Sequence, residues 1–216
     1  MLLLITVLQT TGCYRIYHKS KLTLQKEPFD RQKITFRTDG YYYLETLGDN
    51  YVTVQGYPQR LPDPVVVVQP IFFYADGYVH YVHARFAPIS RDTFLTKAEQ
   101  LASALLHVED YIRRGPVQIF KKNPRYTVWN WGLYRQSGDN LKIQYYFNAL
   151  GDYWLINLDA AVVNDSTLRI TNQSSYVRRP PPFINRVRDD LYTFRKYNLK
   201  PDSATYLRDR IDRFGK

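Results

Sequence analysis

Few residues of the 216-residue chain are equipped for chemistry. The four histidines are His18, His80, His83 and His107. His80 and His83 lie in FFYADGYVHYVH, a stretch with strand character. Residues three apart on a strand point to opposite faces, so these imidazoles cannot share a metal as an i, i+2 pair could. His107 falls in a helical pattern close to Glu109 and Asp110, where a surface position is expected. No serine stands in a Gly-x-Ser-x-Gly elbow, and no glycine-rich phosphate loop is present. Asp139, Asp152 and Asp165 occupy turns, where the carboxylate hydrogen-bonds to nearby backbone. Two carboxylates for sugar hydrolysis would have to converge from separate strands. The expectation is a non-catalytic chain with no cofactor and no metal.

Cys13 is the only cysteine, so no internal disulfide can form. It follows Met1 to Gly12, MLLLITVLQTTG, which carries no charge and has an apolar run from Leu2 to Leu8. Seven apolar residues cannot span a bilayer, but they reach the lower limit of a secretory h-region. With Gly12 directly before Cys13, the first thirteen residues resemble a bacterial lipoprotein leader and lipobox. Thr10 stands where that family commonly has leucine, and no basic residue precedes the apolar run. The resemblance implies a signal peptide over residues 1–12 and acylation of Cys13, and two or more acyl chains give stable membrane attachment. The alternative is a buried N-terminal strand with an incidental thiol.

From Tyr14 to Arg37 seven basic residues stand against Glu27 and Asp30, a net of +5. Residues 13–33 read as a basic tether that would favour anionic headgroups beside the anchor. Tyr14 follows the cysteine where an inner-membrane retention signal would have an acidic residue. The expected location is therefore the cell envelope, lipid-anchored to the outer membrane on its periplasmic face. The formal charge of +10 attracts polyanions in general. Its even spread, without zinc-finger or RNA-recognition spacing, argues against a specific nucleic-acid partner.

The elements that would position a site follow from periodicity. Between Tyr126 and Thr171 the chain has a period of two: Trp129, Trp131 and Leu133 on one face, then Leu141, Ile143, Tyr145 and Phe147. Lys142, Gln144 and Asn148 point the other way. Turns at Ser137 to Asn140, Asn148 to Asp152 and Asn164 to Ser166 separate these runs from Trp154, Ile156, Leu158, Leu168 and Ile170. This is an antiparallel meander with one apolar face. Asp39-Gly40 and Asp76-Gly77 sit between aromatic flanks and read as type I′ hairpins. Gly56 to Pro64, with three prolines, reads as a loop before a short buried strand, Val65 to Val68. Thr96 with Glu99 forms a capping box for a helix over 96–114, with Ala98, Leu101, Ala102, Leu105, Val108 and Ile112 as its apolar stripe. Arg178 to Pro182 is a stiff Pro-rich spacer, and the rest, to residue 216, reads as a partly helical tail with Leu207, Ile211 and Phe214 on one face.

The expected fold is mainly β, with roughly eight strands over residues 34–177, the number at which an antiparallel sheet can close. A β-sandwich is the alternative. The pieces DGYYYL, FFYADGYVHY, WGLYRQSGDNLKIQYYF and NDSTLRIT, in that order, resemble the small lipocalin-like domains of envelope lipoproteins. That resemblance implies a binding or structural module with a cavity for a small apolar ligand. Trp129, Trp131, Tyr145 and Trp154 are its candidate lining residues, and plain core packing is the competing role for each. The other readings are a scaffold docking onto another envelope protein or a glycan, and an envelope hydrolase.

Overall fold

A computed structural model describes residues 16–54, 57–88, 95–114, 130–149, 152–176, 185–200, 203, 206–209 and 211–214. The strands are β1 (Gly40–Val54), β2 (Tyr57–Phe73), β3 (Tyr78–Tyr81), β4 (Trp131–Ser137), β5 (Asn140–Ala149), β6 (Asp152–Asn164), β7 (Thr167–Ser175) and β8 (Arg186–Lys196). Two α-helices are described, α1 (Lys97–Arg114) and α2 (Tyr206–Asp209), with short 3-10 turns near both ends of the chain. Each strand pairs antiparallel with the next. β8 returns to β1 from Gly40↔Lys196 to Leu44↔Tyr192, so the meander closes as an eight-stranded barrel. A closed sheet leaves no edges, which excludes the sandwich.

Why so many aromatics are needed becomes clear from the packing. An inner cluster draws a side chain from every strand, including Tyr42, Phe73, Tyr81, Tyr134, Ile143, Leu158, Ile170 and Tyr192. A second cluster lies outside the barrel wall, where Tyr41, Phe72, Trp131, Leu133, Tyr146 and Leu155 are covered by α1, by Leu22 and Leu24, and by Leu207 and Phe214. Much of the wall is therefore apolar on both faces, which corrects the expectation of one apolar face. Gln144, expected to face solvent, is buried under the N-terminal segment: its Oε1 accepts from Leu24 N at 3.0 Å, and its Nε2 donates to Lys21 O at 3.1 Å. Residues 16–33 are packed on the barrel because Leu22 and Leu24 lose almost all of their exposed surface there.

Other local readings also change. Asp39-Gly40 is no hairpin; Gly40 opens β1 where β8 crosses so closely that an added Cβ would lie 2.0 Å from Arg195 O. Asp76-Gly77 does turn the chain between β2 and β3, with Gly77 alone at positive φ, the pattern of a loop ending in a left-handed glycine and not of type I′. Residues 57–64 are strand. Beyond the bulge between Gly48 and Asn50, β1 and β2 pair only with each other, so prolines need not donate to a further neighbour. Val66, Val67 and Val68 are buried, as the sequence implied.

The capping box at α1 forms, with Thr96 N donating to Glu99 Oε2 at 2.7 Å and Glu99 N to Thr96 Oγ1 at 3.3 Å. Its buried stripe is Ala104, Leu105, Val108 and Ile112, with Leu101 and Tyr111 beside it. Ala98 and Ala102 are exposed, since a methyl group gains too little by burial to set the roll of the helix. β8 lies in the segment expected as spacer and tail, and it closes the barrel. The Pro-rich run itself lies outside the described residues.

Candidate functional site

The two ends of the barrel differ. At the end carrying the β6–β7 turn, Phe36 enters between Tyr42, Phe73 and Tyr134, with ring centroids 5.0 to 5.9 Å away. Arg37 N donates to Asp165 O at 3.0 Å, and Gln136 holds Thr35 through Thr35 N to Oε1 at 3.1 Å. Lys200 Nζ donates to the carbonyls of Thr38 and Phe73 and lies over the Tyr74 ring. This end is plugged by side chains.

The other end holds a cavity of about 230 Å³. Its apolar walls are Phe147, Ile156 and the ring faces of Tyr81 and Tyr145, which stack at 4.7 Å and 18°. Its polar lining is Gln69, His83, Gln173, Arg85, Arg186 and Arg188. The lining is thus divided about evenly between apolar and polar surface, and a concavity in which polar groups converge beside aromatic walls is a form that small-molecule sites take.

Arg188 anchors the wall of this cavity and is 8% exposed. Nη1 donates to Gln173 Oε1 at 2.7 Å and to Tyr81 Oη at 3.2 Å, and Nε donates to Asp190. Tyr81 Oη is also 3.0 Å from Tyr192 Oη. Burial works against the guanidinium's charge, but the surrounding Tyr81, Tyr192 and Asp190 oxygens outweigh it, and the net shift is upward. Burial pushes the Tyr145 phenol well above its ordinary range, so at neutral pH it is a hydroxyl able to donate. His83 is pushed down to about 3, first by burial and then by the charge of Arg188, and is neutral. Tyr145 Oη and His83 Nε2 are shielded from solvent, and neither has a hydrogen-bond partner among the described residues.

Among the aromatic candidates from the sequence, Tyr145 lines the cavity. Trp131 lies outside the wall, stacked on His80 at 4.6 Å, because the parity of β4 turns Trp131 and Leu133 outward and Tyr134 inward. Trp154 is at the rim, stacked on Tyr17 at 4.2 Å and 4°. Trp129 and Cys13 lie outside the described residues. His80 and His83 do fall on opposite faces, in the outer layer and the cavity. His107 is half-buried, with Nδ1 2.9 Å from Ala87 O.

The cavity residues not anticipated are Gln69, His83, Arg85, Gln173, Arg186 and Arg188, with Asp190 paired to Arg188. β8 reads RVRDDLYTFRK, and the structure turns Arg186, Arg188 and Asp190 inward while Val187 is 88% exposed. The period-two signal of this strand is weak, because Arg188, Asp189 and Asp190 are charged in succession and both faces carry charge. Its polarity is inverted at the cavity, so a rule placing apolar residues inside reads it backwards.

Among the described residues no group of three or more His, Cys, Asp or Glu side chains could hold a metal ion. No helix among them is long and apolar enough to cross a membrane, which does not bear on strands. No protein-family model matches the chain, and neither does any curated protein or solved structure.

Proposed function

We propose that the chain is a membrane-anchored envelope lipoprotein, held through Cys13, whose barrel is a non-catalytic binding module for a small, largely apolar ligand seated in the open mouth. The observation that carries the binding reading is the contrast between the ends. One is filled by Phe36 and its aromatic neighbours, whereas the other keeps a cavity of about 230 Å³ with apolar and polar walls and two buried polar atoms that have no partner among the described residues. An eight-stranded barrel can be filled by side chains or can hold one small ligand, and the residues at each end decide which. The anchor rests on the apolar run, Gly12 and Cys13 alone.

The test is the intact mass of protein extracted from membranes of its native host, under native and denaturing conditions. The expected denatured mass begins at Cys13 and includes acyl chains, and the native mass carries a further small molecule. A mass beginning at Met1 with a free thiol would rule out the anchor. A native mass with nothing added, together with no binding of small amphiphiles, would rule out the binding module.

A further inference from the structure

The chemical class of the ligand can be read from the same mouth, an inference that rests on the mouth being a binding site. Among the described residues, every charged side chain lining the cavity is an arginine: Arg85, Arg186 and Arg188. Asp190 is taken up by Arg188. Arg85 and Arg186 make no ion pair with any described residue, and both are exposed at the rim. A concave, low-dielectric wall focuses such a field on whatever enters it. The Tyr145 hydroxyl lies within the influence of both Arg186 and Arg188, and its proton is not donated to any acceptor among the described residues. Because this hydroxyl stands in the wall of an open cavity, an acceptor entering from outside can reach it. The cavity volume corresponds to roughly eight water-sized groups at about 30 Å³ each. That suits a short chain or a single ring and is too small for a long acyl chain.

We propose that the mouth takes a small organic carboxylate, its anionic group between Arg186 and the Tyr145 hydroxyl and its apolar body of roughly eight carbons against Phe147 and Ile156. His83, neutral between Tyr81 and Phe147, completes the wall and adds no charge that would compete for the anion. The guanidinium fork of arginine matches a carboxylate in two parallel hydrogen bonds, which gives selectivity over an alcohol of equal length.

The experiment is calorimetric titration of the full chain with octanoate, 1-octanol and octylamine, repeated for Arg186→Gln and Tyr145→Phe. Octanoate is expected to bind at least about ten-fold more tightly than octanol, and octylamine not to bind. Arg186→Gln should weaken octanoate about ten-fold and leave octanol unchanged; because Arg186 is exposed, this variant keeps the fold. Tyr145→Phe should weaken octanoate several-fold. Equal affinity for octanoate and octanol, or an octanoate affinity indifferent to both substitutions, overturns the anionic class while the mouth remains a site for neutral ligands. Binding of none of the three overturns both this inference and the binding reading.

Discussion

Lowering the pH from 7.5 to 5.0 should weaken this fold by about 2 kcal/mol for each of His80 and His83. Burial pushes both imidazoles from an ordinary 6.5 down to about 3, with His83 acting on His80 and Arg188 on His83 in the same direction. The unfolded chain then takes up protons that the folded chain refuses. The stability gained by keeping these rings neutral is fully present above about 6.5 and is lost as the pH falls from there toward about 3. At pH 5.0 the unfolded imidazole is about 1.5 pH units below its midpoint, and each unit is worth about 1.36 kcal/mol, giving about 2 kcal/mol per ring and about 4 for both. That is a large share of a typical 5 to 15 kcal/mol. Arg37 holds Asp39, and Thr96 holds Glu99, below the usual carboxylate range, so these acids are not protonated within this window. Urea unfolding followed by tryptophan fluorescence at the two pH values measures the loss. His80→Phe keeps a ring against Trp131, and His83→Gln keeps a polar group at the cavity; each should remove about half of the pH dependence. A wild-type loss below about 1 kcal/mol, or a full loss retained in the double variant, would refute the neutral burial of these rings.

Three other perturbations act on named contacts. Asp190→Asn leaves the Arg188 guanidinium uncompensated, its side chain 4% exposed, and should cost about 3 to 5 kcal/mol by thermal melting; Arg188→Met should cost less, because Asp190, at 27%, can still reach water. Gly132→Ala would place a Cβ 1.8 Å from Gln144 O across the β4–β5 ladder and should destabilise by about 3 kcal/mol or more in denaturant, whereas Gly138→Ala, with open space but φ of 57°, should cost about 1 kcal/mol. Gln144→Ala removes the acceptor of Leu24 N and should raise hydrogen exchange at that amide while amides of β5 and β6 stay protected.

How much of this was legible in the sequence depends on which face of a strand decided the matter. The meander from β4 to β7 was readable because its turns are punctuated by Ser137 to Asn140 and Asn164 to Ser166, and its alternation survives between them. The α1 capping box was readable because it is a local contact. The outer aromatic layer was not, since a wall buried on both faces by α1 and the terminal segments erases the contrast that period-two reading needs. Asp39-Gly40 misled for a related reason: the same dipeptide that turns a hairpin also begins a strand when a neighbouring backbone demands a missing Cβ. Tyr145 was found by its spacing. Arg188 and His83 were hidden because their role depends on partners from β3, β7 and the rest of β8, which only the closed barrel brings together.

The central claim is that the open mouth holds a small ligand, and blocking that mouth tests it most directly. Native mass spectrometry would compare the wild-type chain with Ile156→Trp, which fills the cavity, each purified from the native host and shown by circular dichroism to keep its β structure. A small extra mass, lost on denaturation, is expected on the wild type and none on the variant. The same extra mass on both chains, or on neither, would contradict a ligand held in the mouth.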